Sequence, residues 1–92
     1  MPRVELTSHL YQFFPALEGQ TLEVDASDVR SVIDAMEARV PGFAFYVCDE
    51  RGRLRQHVNV FIGNERVRDR ATLTDAVERN DRVFILQALS GG

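Results

Sequence analysis

The sequence ends in two consecutive glycines, Gly91 and Gly92, and their chemistry stands out first. Glycine has no side chain to pack and loses the most backbone freedom on ordering, so a terminal pair strengthens neither a strand nor a helix. One reading is an idle, unstructured end. The other is chemical. A terminal carboxylate that must enter a narrow site on another protein needs a thin, extended chain, and glycine has no Cβ to clash there. The Gly92 carboxylate could then attack the α-phosphorus of ATP. The resulting acyl-adenylate carries a good leaving group and can accept sulfur. A chain of this kind needs no catalytic side chain, because the catalyst is its partner. With Gly92 written last, no trimming is expected to be needed to expose that carboxylate.

Other chemistry-bearing residues are sparse. Cys48 is the only cysteine, which excludes an internal disulfide and a thiolate zinc cluster. Two readings of it stand side by side: a small buried hydrophobe at the end of an apolar strand, or a relay for sulfur. His9 and His57 lie far apart and lack ligand spacing, so no metal site is expected. No Ser-His-Asp set, paired carboxylates or phosphate-binding glycine loop stands out, and no cofactor is expected. All eleven basic residues are Arg. Without lysine, no side chain can accept an isopeptide bond, whether the bias is genomic or functional. A net charge of −3 argues against bulk nucleic-acid binding, which shows a basic excess.

The elements that must position the tail follow from periodicity. Residues 3–7 alternate, with Val4 and Leu6 on one face, and predict a strand. Residues 21–25 alternate likewise, with Leu22 and Val24 inward. Between them, residues 8–20 hold Pro15 and Gly19 but also Leu10, Tyr11, Phe13, Phe14 and Leu17, which suits a packed turn or short helix better than a free loop. Ser27 is the expected N-cap of a helix, with Asp28 at the positive end of its dipole. Val29, Ile33, Met36 and Val40 form one apolar stripe, and Pro41-Gly42 stops it. Residues 43–48 read as a strand, 49–52 as a turn and 54–62 as a second strand. Gly63-Asn64-Glu65 reads as a tight turn, 66–68 as a short return strand and 72–77 as a helical turn. After a turn at Asn80-Asp81, residues 82–88 form the last strand and 89–92 the tail. One long helix on a mixed sheet of four or five strands makes an α+β two-layer domain spanning residues 1–92. The first and last strands are expected to pair in parallel at its centre.

The order of these pieces, with the terminus, resembles the ThiS/MoaD group of ubiquitin-like sulfur carriers over nearly the whole chain. The residues that carry it are Val4-Glu5-Leu6, Thr21-Leu22-Glu23-Val24 leading into Asp28-Val29, and a helix end at Glu37-Ala38-Arg39-Val40-Pro41-Gly42. The strand His57-Val58-Asn59-Val60-Phe61-Ile62 before Gly63-Asn64-Glu65, and the ending Asp81 to Gly92, complete it. The resemblance implies a β-grasp fold with a flexible Gly-Gly tail, and a cycle. An ATP-dependent activating enzyme of the ubiquitin-activating type adenylates Gly92. A sulfur donor of the cysteine desulfurase or rhodanese type converts it to a thiocarboxylate, and an acceptor enzyme takes the sulfur. The product is molybdopterin, thiamine, cysteine or a specialised metabolite. In this scheme Gly92 carries the sulfur, Gly91 gives access, and Leu86 and Leu89 sit where partners dock. The common prolines near Gln87-Ala88 are missing. The rival readings are a protein modifier joined to target lysines through Gly92, and a plain interaction module.

Alternation in the last strand sets Val83 and Ile85 against Phe84 and Leu86, so one pair faces the core. Phe61 falls opposite Val60 and Ile62. Phe61, Phe84 and Leu86 therefore form either an exposed apolar patch for a partner or a surface covered by the apolar segment 10–17. Arg51, Arg53 and Arg55 alternate, as do Arg66, Arg68 and Arg70. Each set could project from one ribbon face, either balanced by Glu50, Glu65 and Asp69 or free to steer an acidic partner. With no apolar run near the ~20 residues of a membrane span and no signal core, the protein is read as cytoplasmic, with no membrane or nucleic-acid partner.

Overall fold

The computed structural model describes residues 1–87. Strand β1, Arg3–Leu6, buries Val4 and Leu6 as its alternation requires. The apolar segment after it forms helix α1, Ser8–Phe13, and a 3-10 turn, Pro15–Leu17. Leu10 and Leu17 enter the core, which explains why this connection is so apolar. Strand β2 is shorter than expected, Leu22–Glu23, although Val24 remains buried and its amide donates to the Pro2 carbonyl at 3.1 Å.

Helix α2 spans Val29–Arg39. Its N-cap is Asp28, not Ser27. The Asp28 carboxylate accepts from the Ser31 amide at 2.8 Å, and the Ser31 hydroxyl accepts from the Asp28 amide at 3.1 Å. This reciprocal pair satisfies two orphan donors of the first turn, and it selects Asp28 because Ser31 lies three residues on. Val29, Ile33 and Met36 are buried as the stripe predicts, and Val32 joins them.

Two expected elements differ. Residues Phe43–Val47 form a short helix, α3, where a strand was expected. The apolar run Phe43 to Cys48 suits either state. The decision is made by Gly42, at φ 100°, and by the Glu37 carboxylate, which accepts from the amides of Gly42 at 2.9 Å and Ala44 at 2.8 Å. These bonds cap the new helix turn with a side chain from the preceding helix. In α3, Phe43 and Val47 fall four apart on the inward face. The second difference is at 72–77, where no helical turn forms. Residues 70–72 turn instead, around the Asp69 carboxylate, which accepts from the Ala71 and Thr72 amides at 2.9 Å each. Leu73 follows with φ 58°, fully buried.

Strand β3 is limited to Val58–Ile62. Residues 54–57 instead form a connection, held by the Leu54 amide on the Arg70 carbonyl and the Arg55 amide on the Val47 carbonyl. A turn at Gly63-Asn64 leads to β4, Glu65–Arg66, in place of a return strand at 66–68. The last described strand, β5, is Arg82–Gln87. Residues 88–92, including the expected tail and the last residue of the expected strand, lie outside the described residues.

The sheet order is β2-β1-β5-β3-β4. Strand β5 is central, parallel to β1 with Leu6 beside Ile85, and antiparallel to β3 with Val60 opposite Ile85. Helices α2 and α3 cover one face, so the architecture is the two-layer α+β β-grasp arrangement, with β1 and β5 paired in parallel at the centre as expected. Among the described residues no helix is long and apolar enough to cross a membrane.

Candidate functional site

The site is built on β5, because this strand leads to the terminal glycines. It is hydrogen-bonded to neighbours on both sides, and its last described residue, Gln87, still pairs with Val58. The point from which the chain departs is thus fixed to the sheet rather than to a loose loop. Gly91, Gly92 and Leu89 lie outside the described residues.

The period-two alternation of β5 puts Val83 and Ile85 into the core and turns Phe84 and Leu86 to the opposite face. Register then assembles the outer patch. Phe84 lies directly opposite Phe61 on β3, and Leu86 opposite Asn59. All three expected docking residues within the described range, Phe61, Phe84 and Leu86, are half-buried and share this face. The apolar segment 10–17 packs elsewhere: Phe14 stands 5.3 Å from Phe43, and Phe13 4.9 Å from Tyr46, both on α3. The rim of the patch is charged. Arg82 pairs with Glu5, the Arg66 guanidinium lies 5.9 Å from the Phe61 ring centre, and Arg70 donates to Asn59 Oδ1 at 2.8 Å. An apolar centre inside a polar rim is the layout of a protein-binding surface.

The arginine triplets do not project from ribbon faces. Arg53 pairs with Asp49, Arg55 stacks on Phe45, and Arg70 is tied down by Asn59 and by the Arg55 carbonyl. Glu50, Glu65 and Asp69 are not the acids that pair with them among the described residues. Asp69 is instead the turn acceptor described above, and its bonds to Thr72 hold its carboxyl below the usual range.

Cys48 sits on the inner side, buried, and burial pushes its thiol upward, against the pull of the Arg30 guanidinium. A buried protonated thiol is neither nucleophile nor ligand at neutral pH, which matches the reading of Cys48 as a small hydrophobe. Among the described residues, no group of three His, Cys, Asp or Glu side chains could hold a metal ion.

Two features of the site region escape sequence reasoning. The first is the role of Glu37. Its helix-ending spacing to Pro41-Gly42 was visible, but only the fold shows that its carboxylate holds α3 in place. Hydrogen bonds from the Gly42 amide, then the Ala44 amide, hold its carboxyl below the usual carboxylate range. The second is polar. The side-chain oxygens of Thr7 and Gln87, at the ends of β1 and β5, are buried without a hydrogen-bond partner among the described residues. No motif signals either atom.

The sequence matches the ThiS family over residues 4–92. The chain belongs to the ThiS family. Solved structures agree with the β-grasp topology of this ThiS-family protein. A chain of the crystal structure of the Amycolatopsis orientalis BexX/CysO complex is 26% identical, with a TM-score of 0.83 and full coverage of both chains at 100%. The crystal structure of Mycobacterium tuberculosis CysO, an antigen, is 27% identical with a TM-score of 0.81, covering 97% of this chain and 100% of that one. Small archaeal modifier protein 1 from Haloferax volcanii shares the fold at 24% identity and a TM-score of 0.71, covering 99% of this ThiS-family chain and 98% of its own. No curated protein matches the sequence.

Proposed function

We propose that this ThiS-family protein is a sulfur carrier working through its C-terminal carboxylate, and is not itself an enzyme. Residues 1–92 form one ubiquitin-like domain ending in a tail at 89–92. An ATP-dependent enzyme of the ubiquitin-activating type transfers AMP to the Gly92 carboxylate with release of pyrophosphate. The terminal sulfur of a persulfide on a desulfurase or rhodanese-type donor then displaces AMP from the acyl carbon, and a thiol reductant cleaves the acyl disulfide to free the thiocarboxylate and the donor's thiol. An acceptor enzyme takes the sulfur from the resulting thiocarboxylate. Gly91 keeps the approach thin, while Phe61, Phe84, Leu86 and Leu89 dock partners.

The observation that carries this reading is the family match, which runs through Gly91-Gly92 on a frame whose central strand leads to them. The half-buried apolar Phe61–Phe84 face gives support, since the carrier must dock on partners in turn.

The test is adenylation with and without the glycines. Incubated with its activating enzyme and ATP, the intact chain should form an acyl-adenylate, and the chain lacking Gly91-Gly92 should form none. Full sulfur transfer by the truncated chain would sink the proposal.

A further inference from the structure

A second surface lies beside the Phe61–Phe84 patch, near the last described residue of β5. Helix α3 sends Phe43 and Val47 inward, four residues apart, so Phe45 between them must point outward. It is 66% exposed, an unusual position for a phenylalanine with no charge of its own to solvate it. The Arg55 guanidinium lies 4.9 Å from its ring centre, and Arg55 Nε donates to the Phe45 carbonyl at 3.0 Å. The Arg55 backbone is held in turn, its carbonyl accepting from Arg70 Nη2 at 2.7 Å and its amide donating to Val47 at 3.0 Å. Arg55 is thus fixed at backbone, Nε and ring face. Its terminal amino groups have no hydrogen-bond partner, and no carboxylate pairs with it, among the described residues.

This platform borders a hollow lined by Phe45, Tyr46, Arg55, His57 and Gln87. A neighbouring hollow, lined by His57, Asn59, Phe61, Leu86 and Gln87, shares His57 and Gln87 with it. The two meet at Gln87, where β5 hands over to the residues that end in Gly92. The platform and the sheet patch therefore both border Gln87, within reach of one enzyme that receives Gly92.

We propose that Phe45 and Arg55 form a carboxylate-reading anchor for the enzyme that adenylates Gly92, a partner presenting Asp or Glu beside an apolar side chain. The inference rests on the sulfur-carrier reading and adds the chemistry of the partner's surface. A guanidinium already stacked and hydrogen-bonded loses little rotamer freedom on binding, and its open edge matches a carboxylate in bidentate fashion. The Phe45 ring supplies the apolar half of the contact, and arginine with an aromatic is the composition typical of interface hot spots.

The experiment is ATP–pyrophosphate exchange by the activating enzyme at increasing concentrations of the carrier. The wild type is compared with Arg55→Glu, Arg55→Lys, Phe45→Ala and Phe84→Ala, each checked for a cooperative thermal melt well above the assay temperature. Arg55→Glu should raise the half-saturating carrier concentration about tenfold or more, in line with the loss of a close interfacial charge pair. Arg55→Lys should fall between, because lysine keeps the charge but not the planar fork. The salt dependence of the half-saturating concentration should flatten in Arg55→Glu. Unchanged saturation by Arg55→Glu, with Phe84→Ala impaired, would overturn the anchor and leave the sulfur-carrier reading intact. Absence of any exchange with the wild type would overturn both.

Discussion

At the residue scale, the carboxylate proposed to react, that of Gly92, is distinct from the carboxylates that hold the described structure. Glu37 belongs to the second group. Its carboxylate accepts two amides across the Pro41-Gly42 break, so replacing it with alanine leaves the first turn of α3 with open donors. Glu37→Ala should lower the melting temperature and loosen α3, read as faster amide exchange at Gly42 and Ala44. The pH dependence follows from the same bonds. The carboxyls of Asp28, Glu37, Asp49 and Asp69 are all shifted below their ordinary values by hydrogen bonds made only in the fold. A depressed folded value contributes stability above the unfolded value, and that stability is lost as pH falls through the folded one. The melting temperature should therefore hold near neutrality and decline below about pH 4.5, the ordinary value for Glu37. In Glu37→Gln the neutral melting temperature should be lower and the acid decline shallower. Cys48 gives a contrasting expectation. Its buried thiol should react with an aromatic disulfide reagent only after unfolding, and Cys48→Ala should still take up and deliver sulfur. Loss of sulfur transfer in that variant, with folding intact, would restore the relay reading.

At the scale of elements, β5 shows how one strand serves two purposes. Ile85 is fully buried between β1 and β3, and Ile85→Ala should cost about 2–5 kcal/mol of stability by leaving a cavity. Phe84, one residue earlier, faces the outer patch, and Phe84→Ala should cost about 1 kcal/mol while weakening partner binding more than Ile85→Ala does. Chemical denaturation paired with titration against the activating enzyme separates the two effects. The alternation of β5 was legible in the sequence because a period of two leaves one reading of which side chains share a face. So was the stripe of α2. Helix α3 was not legible, since a short run of aromatic and apolar residues fits a buried strand equally well. The deciding bonds come from Glu37, five and seven residues away. Ser27 was the expected cap, and only the reciprocal bond to Ser31 shows that Asp28 takes that place. Leu73 carries no local signal of its positive φ; the strain there is offset by full burial and by the Asp69-centred turn. The outer patch was readable as a choice between open and covered. Phe13 and Phe14 pack on α3 rather than over the patch, whose three apolar residues are half-buried.

At the scale of the molecule, the core serves to fix a point of departure. Strand β5 is paired on both edges, and Gln87 is still in register with Val58 where the described chain ends. A partner that docks on the Phe61–Phe84 patch, the Phe45–Arg55 platform or both therefore receives the terminal residues from a defined position. In such a design docking specificity and chemistry are separable, since the carrier contributes surface and the partner contributes catalysis. The central claim concerns the Gly92 carboxylate, and intact-mass spectrometry reads it most directly. Incubated with its activating enzyme, ATP and a sulfur donor, the protein should gain the mass difference of one sulfur replacing one oxygen, and the chain lacking Gly91-Gly92 should show no gain. An unchanged mass in the presence of active enzyme and donor, or high-mass conjugates in place of the thiocarboxylate, would contradict the account.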